Sequence, residues 1–393
     1  MSNMHMILTV SVFIIFQILF IFQPCFAVTG YQANMLHKDL MVLYNKRIRP
    51  LQNQNRSLTV SVAFNLISVL GLEESIQKLS VSGYFKLSWK DEFLVWNASK
   101  YGELYLVEFP QDEIWKPDIV LSNGYERFNV LGENFVKVTV TNNGTATWNP
   151  GDVFDSTCSI DTTYYPFDTQ LCELHFLIWS HEIDEVELKP YFTEISNSGF
   201  HENGEWQLLE AWMRTDNTHL SPNVIMSLKL QRRSKFFMLE FLVPIMLLSL
   251  LNSFVFLVPC HSGEKISFSV TVYVAYGVYL SNISSSLPHN SMQISCLTIY
   301  LICMLSLSVI ATFFVALELR YFFTTNEQVV EDADKTDYAS HLDQKVPSKN
   351  SSKEEQKNNL SLKLKTMNTL LFWIFIAVDV GVSVGFFLYL RNS

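Results

Sequence analysis

Residues 158 to 172 read CSIDTTYYPFDTQLC, two cysteines with thirteen residues between them and a Tyr-Pro-Phe-Asp core at positions 165 to 168. The chain has six cysteines, and the other four lie in or beside long apolar runs. If this segment is exported, Cys158 and Cys172 either pair with each other or stay free thiols. A disulfide that closes so short a loop stabilises a domain by about 3 kcal/mol in the chain-entropy model, and we expect this pair to be bridged.

The N-terminus resembles an export signal. An apolar run from Met6 to Phe22 is followed by Cys25-Phe26-Ala27. Small residues three and one before a cut after Ala27 resemble a signal-peptidase site, so we interpret residues 1–27 as a signal peptide. The alternative is a first transmembrane helix.

Four later apolar runs each exceed the roughly 20 residues that a helix needs to cross a bilayer. With the N-terminal domain exported, four crossings place residues 320–366 in the cytoplasm and the tail, residues 391–393, outside. Basic residues beside the spans agree with the positive-inside tendency. The low hydrophobicity of the polar loop, residues 320–366, predicts that it is largely disordered, with a helix that enters the last span. The predicted spans are 236–258, 266–287 and 293–318 within residues 236–319, and 367–390.

Residues 28–235 are typical of one exported β domain. Thr59 to Leu66 alternates apolar and polar side chains, and so does Val136 to Thr141, which continues through an Asn-Gly turn into Thr147-Trp148. Alternating runs around Asn-Gly predict a β-hairpin. Leu36, Leu40 and Leu43 recur at helical spacing. We therefore predict an extracellular all-β, immunoglobulin-like sandwich with an N-terminal helix, followed by a four-helix transmembrane bundle.

Composition excludes several classes of protein. Of 393 residues, 49% are apolar and 17% are charged, and the formal net charge is −10. This acidic charge argues against a nucleic-acid-binding protein, which would carry a basic patch. The exported segment holds 26 acidic against 18 basic residues, and it contains three glycosylation sequons, at Asn55, Asn97 and Asn143. Two further sequons fall in the predicted cytoplasmic loop, so the motif by itself is only permissive.

Spacing, aromatic core and topology together make the 158–172 segment similar to the signature of the Cys-loop family of pentameric ligand-gated ion channels. Other stretches of the mature chain resemble nicotinic acetylcholine receptor subunits in particular. They are Tyr44 to Pro50, Trp89-Lys90-Asp91 with Trp96, Trp115 to Ile119, Gly204-Glu205-Trp206, Arg232-Arg233, Pro244 and Gly263-Glu264-Lys265. The resemblance implies a channel subunit in the plasma membrane, and a postsynaptic location is expected.

The second span has a polar stripe. Its small polar and apolar residues recur every three or four positions, which places them on one helix face. A packing stripe is the alternative, because hydroxyls can bond their own backbone carbonyls. The resemblance implies that the face lines a channel and that Glu264 forms a carboxylate ring at the inner mouth, which favours cations. The pore-lining residues would be Glu264, Ser267, Thr271, Val274, Val278, Ser281 and Ser285.

The resemblance implies an aromatic ligand site between two subunits, but the principal face departs from the family. Trp179 matches the central tryptophan, whereas Ser122 stands where a tyrosine is usual, and the adjacent-cysteine pair is missing near Trp212. Tyr84 stands at a tryptophan position of the complementary face. A packed core side chain is the alternative for Trp179 and Tyr84. The remaining complementary positions are Thr139, Thr147 and Asn149.

The resemblance also implies a junction that couples ligand binding to the pore. A purely structural Asp–Arg contact is the alternative. The coupling residues would be Tyr165, Pro166, Phe167, Asp168, Arg232, Arg233 and Pro288.

Two functional hypotheses remain open beside that of a self-sufficient channel. The chain could be an accessory or orphan subunit that does not bind acetylcholine, or an anion-selective relative, which the acid at Glu264 disfavours. Enzyme motifs such as a phosphate loop, HExxH or a nucleophile elbow are missing from the sequence. Expected partners are acetylcholine or another amine, related subunits in a homo- or hetero-pentamer, lipid, and monovalent cations, with calcium a further candidate; we expect no cofactor, metal site or nucleic acid.

Overall fold

The structure is a computed structural model that describes residues 29–126, 128, 130–132, 135–196, 198–216, 220–288, 294–340 and 350–391. The predicted signal peptide and the last two residues of the predicted outer tail lie outside this part of the chain. Helix α1 spans Gly30–Met41, and Thr29 and Gln32 form a capping box at its start. Leu36 is fully buried, but Leu43 is 93% exposed because the helix ends before it, so the predicted apolar face is shorter than expected.

The larger sheet has seven strands: β1 (Leu58–Glu73), β2 (Lys78–Lys90), β3 (Leu106–Pro110), β5 (Lys137–Thr141), β6 (Thr145–Trp148), β7 (Gly151–Thr157) and β9 (Val186–Pro190). The order is β3-β5-β6-β2-β1-β9, and β7 also pairs with β2. Strands β5 and β6 form the predicted hairpin, in which the turn glycine Gly144 has a φ of +86° that glycine adopts without strain.

The smaller sheet has four strands in the order β10-β11-β8-β4: β10 (Trp206–Asp216), β11 (Asn223–Arg232), β8 (Thr169–Ile178) and β4 (Ile119–Leu121). The two sheets pack through one apolar core. Phe85 and Phe154 of the larger sheet meet Phe176 of the smaller one edge-to-face, with ring centroids 4.8 and 5.3 Å from Phe176. This confirms the predicted β-sandwich, because buried and exposed residues alternate along the strands of both sheets.

In the described part of the chain, four helices long and apolar enough to cross a membrane follow the sandwich. Helix α2 (Lys235–Leu257) contains a π-helical turn at Met238–Leu242, which ends two residues before Pro244, a residue without a backbone donor. Helix α3 spans Lys265–Ser286, α4 spans Cys296–Ser340 and α5 spans Asn350–Arg391. The membrane-crossing parts of α4 and α5 are Cys296–Thr325 and Ser361–Leu390.

The ends of the last two helices differ from the sequence prediction. Helix α4 begins three residues later than the predicted third span, and the predicted disordered loop is helical at 320–340 and 350–366. Residues 341–349 lie outside the described part. Within the bundle, the carboxylate of Asp379 is buried, and its Oδ2 accepts a hydrogen bond of 2.8 Å from the Ser253 hydroxyl.

Candidate ligand, coupling and pore sites

The 158–172 loop is closed by a Cys158–Cys172 disulfide. Cys158 and Cys172 belong to the core of the sandwich, while the loop reaches the membrane helices. The backbone N–H of Cys296, the first residue of α4, donates to the carbonyl of Thr163 at 3.1 Å, and the rings of Tyr164 and Tyr389 of α5 stack 5.9 Å apart. The disulfide therefore holds a loop that joins the two domains.

Arg232 is the centre of this junction. Its guanidinium bonds the Asp168 carboxylate at 2.8 and 3.2 Å, and a second acid, Glu74 just after β1, lies 2.5 Å away. The rings of Tyr165 and Trp206 flank the guanidinium at 4.7 and 4.3 Å. Burial would lower the pKa of Arg232, but the bonds to Asp168 and Glu74 outweigh it and raise the pKa above its ordinary value.

The other predicted coupling residues occupy different places. Tyr165 packs edge-to-face on Phe237 of α2, 4.8 Å between centroids, and belongs to the same apolar cluster as Leu287. Pro166 is buried, Phe167 is 39% exposed and Pro288 is half-buried after α3. Arg233 pairs with Glu202 instead of Asp168. Glu74 and Trp206 were missed as partners of Arg232, since neither is near it in sequence.

The predicted complementary-face residues share the outer face of the larger sheet. Thr139 and Thr147 are directly paired across β5 and β6, and Thr147 is paired with Ser88 of β2. Tyr84 of β2 is 38% exposed, and Asn149 is exposed just after β6. Neighbouring residues on the opposite face of these strands fill the core, so this group is presented to solvent.

The predicted principal-face residues lie on the smaller sheet. Trp179 follows β8 and is 63% exposed, so the interpretation as a core tryptophan is wrong. Its backbone N–H donates to the Asp118 carbonyl at 3.2 Å, and its ring lies 5.8 Å from that of Phe128, an exposed aromatic that sequence reasoning missed. Ser122 donates its hydroxyl to the His175 carbonyl at 3.0 Å. Trp212 is half-buried on β10, paired with Ser227.

Because the two groups lie on different sheets of one sandwich, one chain does not assemble both into a single site. Tyr84 belongs to the larger sheet and Trp179 follows a strand of the smaller sheet. The asparagines of the three extracellular sequons, Asn55, Asn97 and Asn143, are all exposed.

Helix α3 has two distinct faces. Ser269, Val272, Tyr276 and Ile283 are buried against the other helices. All six residues of the predicted polar stripe, from Ser267 to Ser285, are exposed, as is Glu264 just before the helix. The hydroxyl of Thr271 donates to the carbonyl of Ser267 at 2.8 Å, so this polar side chain is hydrogen-bonded within its own helix. The stripe therefore does not pack within its own bundle.

Comparison with known proteins agrees with this architecture. The profile "Neurotransmitter-gated ion-channel ligand binding domain" matches residues 33–234, and "Neurotransmitter-gated ion-channel transmembrane region" matches residues 241–371. The chain is 32% identical over 305 residues to the neuronal acetylcholine receptor subunit beta-3 of Homo sapiens, covering 74% of this chain and 66% of that one.

Two further relatives give the same result. The subunit non-alpha-2 of Carassius auratus is 33% identical over 72% of this chain and 63% of its own length, and the alpha-5 subunit of Bos taurus is 30% identical over 73% and 62%. The matched region thus spans slightly less than two thirds of these relatives. The chain belongs to the neurotransmitter-gated (Cys-loop) ion channel family, on its nicotinic acetylcholine receptor side, and members of this family are channels, not enzymes.

Proposed function

We propose that this chain is a subunit of a cation-selective pentameric channel in the plasma membrane, opened by an extracellular amine that binds between subunits. The observation that carries the proposal is the two-faced helix α3, whose polar stripe is exposed while its opposite face is buried in the bundle. Five such stripes around an axis would form a water-filled pathway. The apolar pair Val274 and Val278 would form its constriction, which closes by dewetting.

Cation selectivity is proposed from the charge at the inner end of this stripe. Glu264 is exposed just before the first residue of α3, with Gly263 beside it in a left-handed conformation, φ +74°. Five carboxylates in a narrow mouth attract cations and repel anions. The acidic exported domain would add to the local cation concentration.

Glu264→Gln is expected to move the reversal potential towards that of chloride and to lower the unitary cation conductance about twofold or more, because the local potential of the mouth falls. The chain would be expressed alone and with acetylcholine receptor subunits, challenged with a panel of amines, and recorded under sodium and chloride gradients. Ser285→Gln, at the other end of the stripe, adds an amide without removing a charge and serves as the control. An unchanged permeability ratio in Glu264→Gln would contradict the selectivity proposed here.

For the agonist, we propose that this chain supplies mainly the complementary face of the site. Tyr84 is exposed on the outer face of the larger sheet, and the half-buried Thr139 and Thr147 pair with each other on the same face. On the principal side, Ser122 gives its hydroxyl to the backbone and offers no aromatic ring. A ring over a quaternary amine contributes about 0.5 to 2 kcal/mol.

Tyr84→Ala in a mixed receptor is therefore expected to raise the half-maximal agonist concentration by about twofold to thirtyfold. Trp179→Ala is expected to change it less than about twofold, and Tyr191→Ala, an exposed tyrosine outside the proposed site, provides a matched control. Concentration–response curves decide between the two faces.

A principal-face role is the second candidate, favoured by the exposed Trp179 ring beside Phe128. In that case Trp179→Ala would have the larger effect, and the chain would respond to an amine when expressed alone.

A further inference from the structure

A buried ion pair lies at the inner end of the membrane bundle, directly beside the exposed Glu264. Lys265 is fully buried, and its Nζ is 2.6 Å from Oε2 of Glu318 on α4. The same ammonium donates to Oδ1 of Asn368 on α5 at 3.1 Å. Lys265 is thus held by two helices behind α3.

Glu318 is bonded on both of its oxygens. While Oε2 receives Lys265, Oε1 accepts from Nδ2 of Asn368 at 2.6 Å and from Sγ of Cys260 at 2.7 Å. Burial, and to a smaller extent the hydrogen bond to Glu318 and its charge, raise the pKa of the Cys260 thiol to about 11. At neutral pH the thiol therefore keeps its proton and remains a donor. The carboxylate therefore has three donors from three different segments of the chain.

This arrangement changes the charge of the inner mouth. The sequence places a glutamate and a lysine side by side, which would leave the mouth without net charge if both faced it. Successive residues of a helix point about 100° apart, so the two side chains can be separated. In the structure Glu264 is exposed, and the charge of Lys265 is matched inside the bundle by Glu318. Each subunit then presents only a carboxylate.

We infer that Glu318 is a selectivity-determining positioning residue, which holds the Lys265 ammonium behind α3 so that Glu264 alone sets the charge of the inner mouth. The inference rests on the cation channel proposed above. An ammonium without a partner is unfavourable in an apolar interior. Once Glu318 is neutral, the long lysine side chain would extend towards water beside the exposed Glu264, at the proposed mouth.

The test compares three variants by reversal potential and unitary conductance. Glu318→Gln is expected to raise the chloride-to-sodium permeability ratio about threefold or more and to lower cation conductance, as Glu264→Gln does. The double variant Lys265→Gln/Glu318→Gln keeps amides at both positions and has no ammonium to release, so parental selectivity is expected. Surface labelling of the full chain confirms that each variant is delivered to the membrane.

The outcomes separate the inference from the function on which it rests. A shift in Glu264→Gln but none in Glu318→Gln overturns the role of Glu318 and leaves the channel proposal standing. No shift in Glu264→Gln overturns both. An equal shift in the single and double variants shows that the effect does not act through Lys265. If Glu318→Gln does not reach the surface, Asn368→Leu replaces it as the test, because it keeps both charges and removes one hydrogen-bond partner from each. A smaller shift of the permeability ratio in the same direction is expected, and an unchanged ratio would overturn the inference.

Discussion

Arg232→Gln is expected to remove the protein from the cell surface, whereas Asp168→Asn should leave it there with a smaller agonist-evoked current. Arg232 is the only cation bonded to both Asp168 and Glu74 in the described part of the chain. Without it, two acids face each other with little access to solvent, since the Asp168 side chain is 3% exposed and that of Glu74 is 18% exposed. Removing one partner of a buried pair costs about 3 to 5 kcal/mol, a large part of the stability of a domain.

Asp168→Asn is milder because the arginine keeps its contact with Glu74 and its two flanking rings. What it loses is the charged bond between β11, which runs into α2, and the 158–172 loop, which contacts α4 and α5. If this junction transmits loop movement to the pore, current should fall at normal surface density.

Surface biotinylation and current density measure the two effects separately. Arg233→Gln is a matched control, because Arg233 is one residue away but 39% exposed and pairs with the exposed Glu202. Its surface density and current should be close to those of the parent. Full surface expression of Arg232→Gln, or an unchanged current in Asp168→Asn, would show that the Arg232 contacts are dispensable.

The second large effect is expected from opening the disulfide. Cys158→Ser/Cys172→Ser should reduce surface expression about tenfold or more. Opening the loop removes about 3 kcal/mol of stabilisation, and the two cysteines belong to the core, where they are 3% and 1% exposed. The loop also carries Tyr165, which packs on Phe237 at the top of α2. Freeing the loop therefore weakens the sandwich and the junction together.

Cys303→Ser provides the comparison for this variant, because Cys303 is an exposed free thiol in α4. It removes a cysteine without opening a loop and should leave expression and agonist response unchanged. Non-reducing electrophoresis after proteolysis verifies the bridge in the parent. A double serine variant that reaches the surface normally and responds to agonist would contradict the stabilising role given to the disulfide.

Local features were predictable from the chain because each depends on nearby residues. Alternation around Asn142-Asn143-Gly144 predicted the β5–β6 hairpin, since strand period and turn chemistry are short-range properties. The apolar runs predicted four membrane helices by length alone. Helix ends were less accurate: α1 stops at Met41, before the last leucine of its pattern, and α4 begins at Cys296.

By itself, the sequence predicted the fold class and the disulfide partners and placed the polar stripe of α3 on one helix face, while the family resemblance implied a contact of Asp168 with one of two adjacent arginines. Tertiary structure alone decided that this arginine is Arg232, and that Glu74 and Trp206 complete its surroundings. It also decided that Trp179 faces solvent beside Phe128, and that Lys265 is neutralised by Glu318, 53 positions away. The physical reason is that periodicity and spacing report which face a side chain occupies, whereas its charge partner is set by the packing of distant segments.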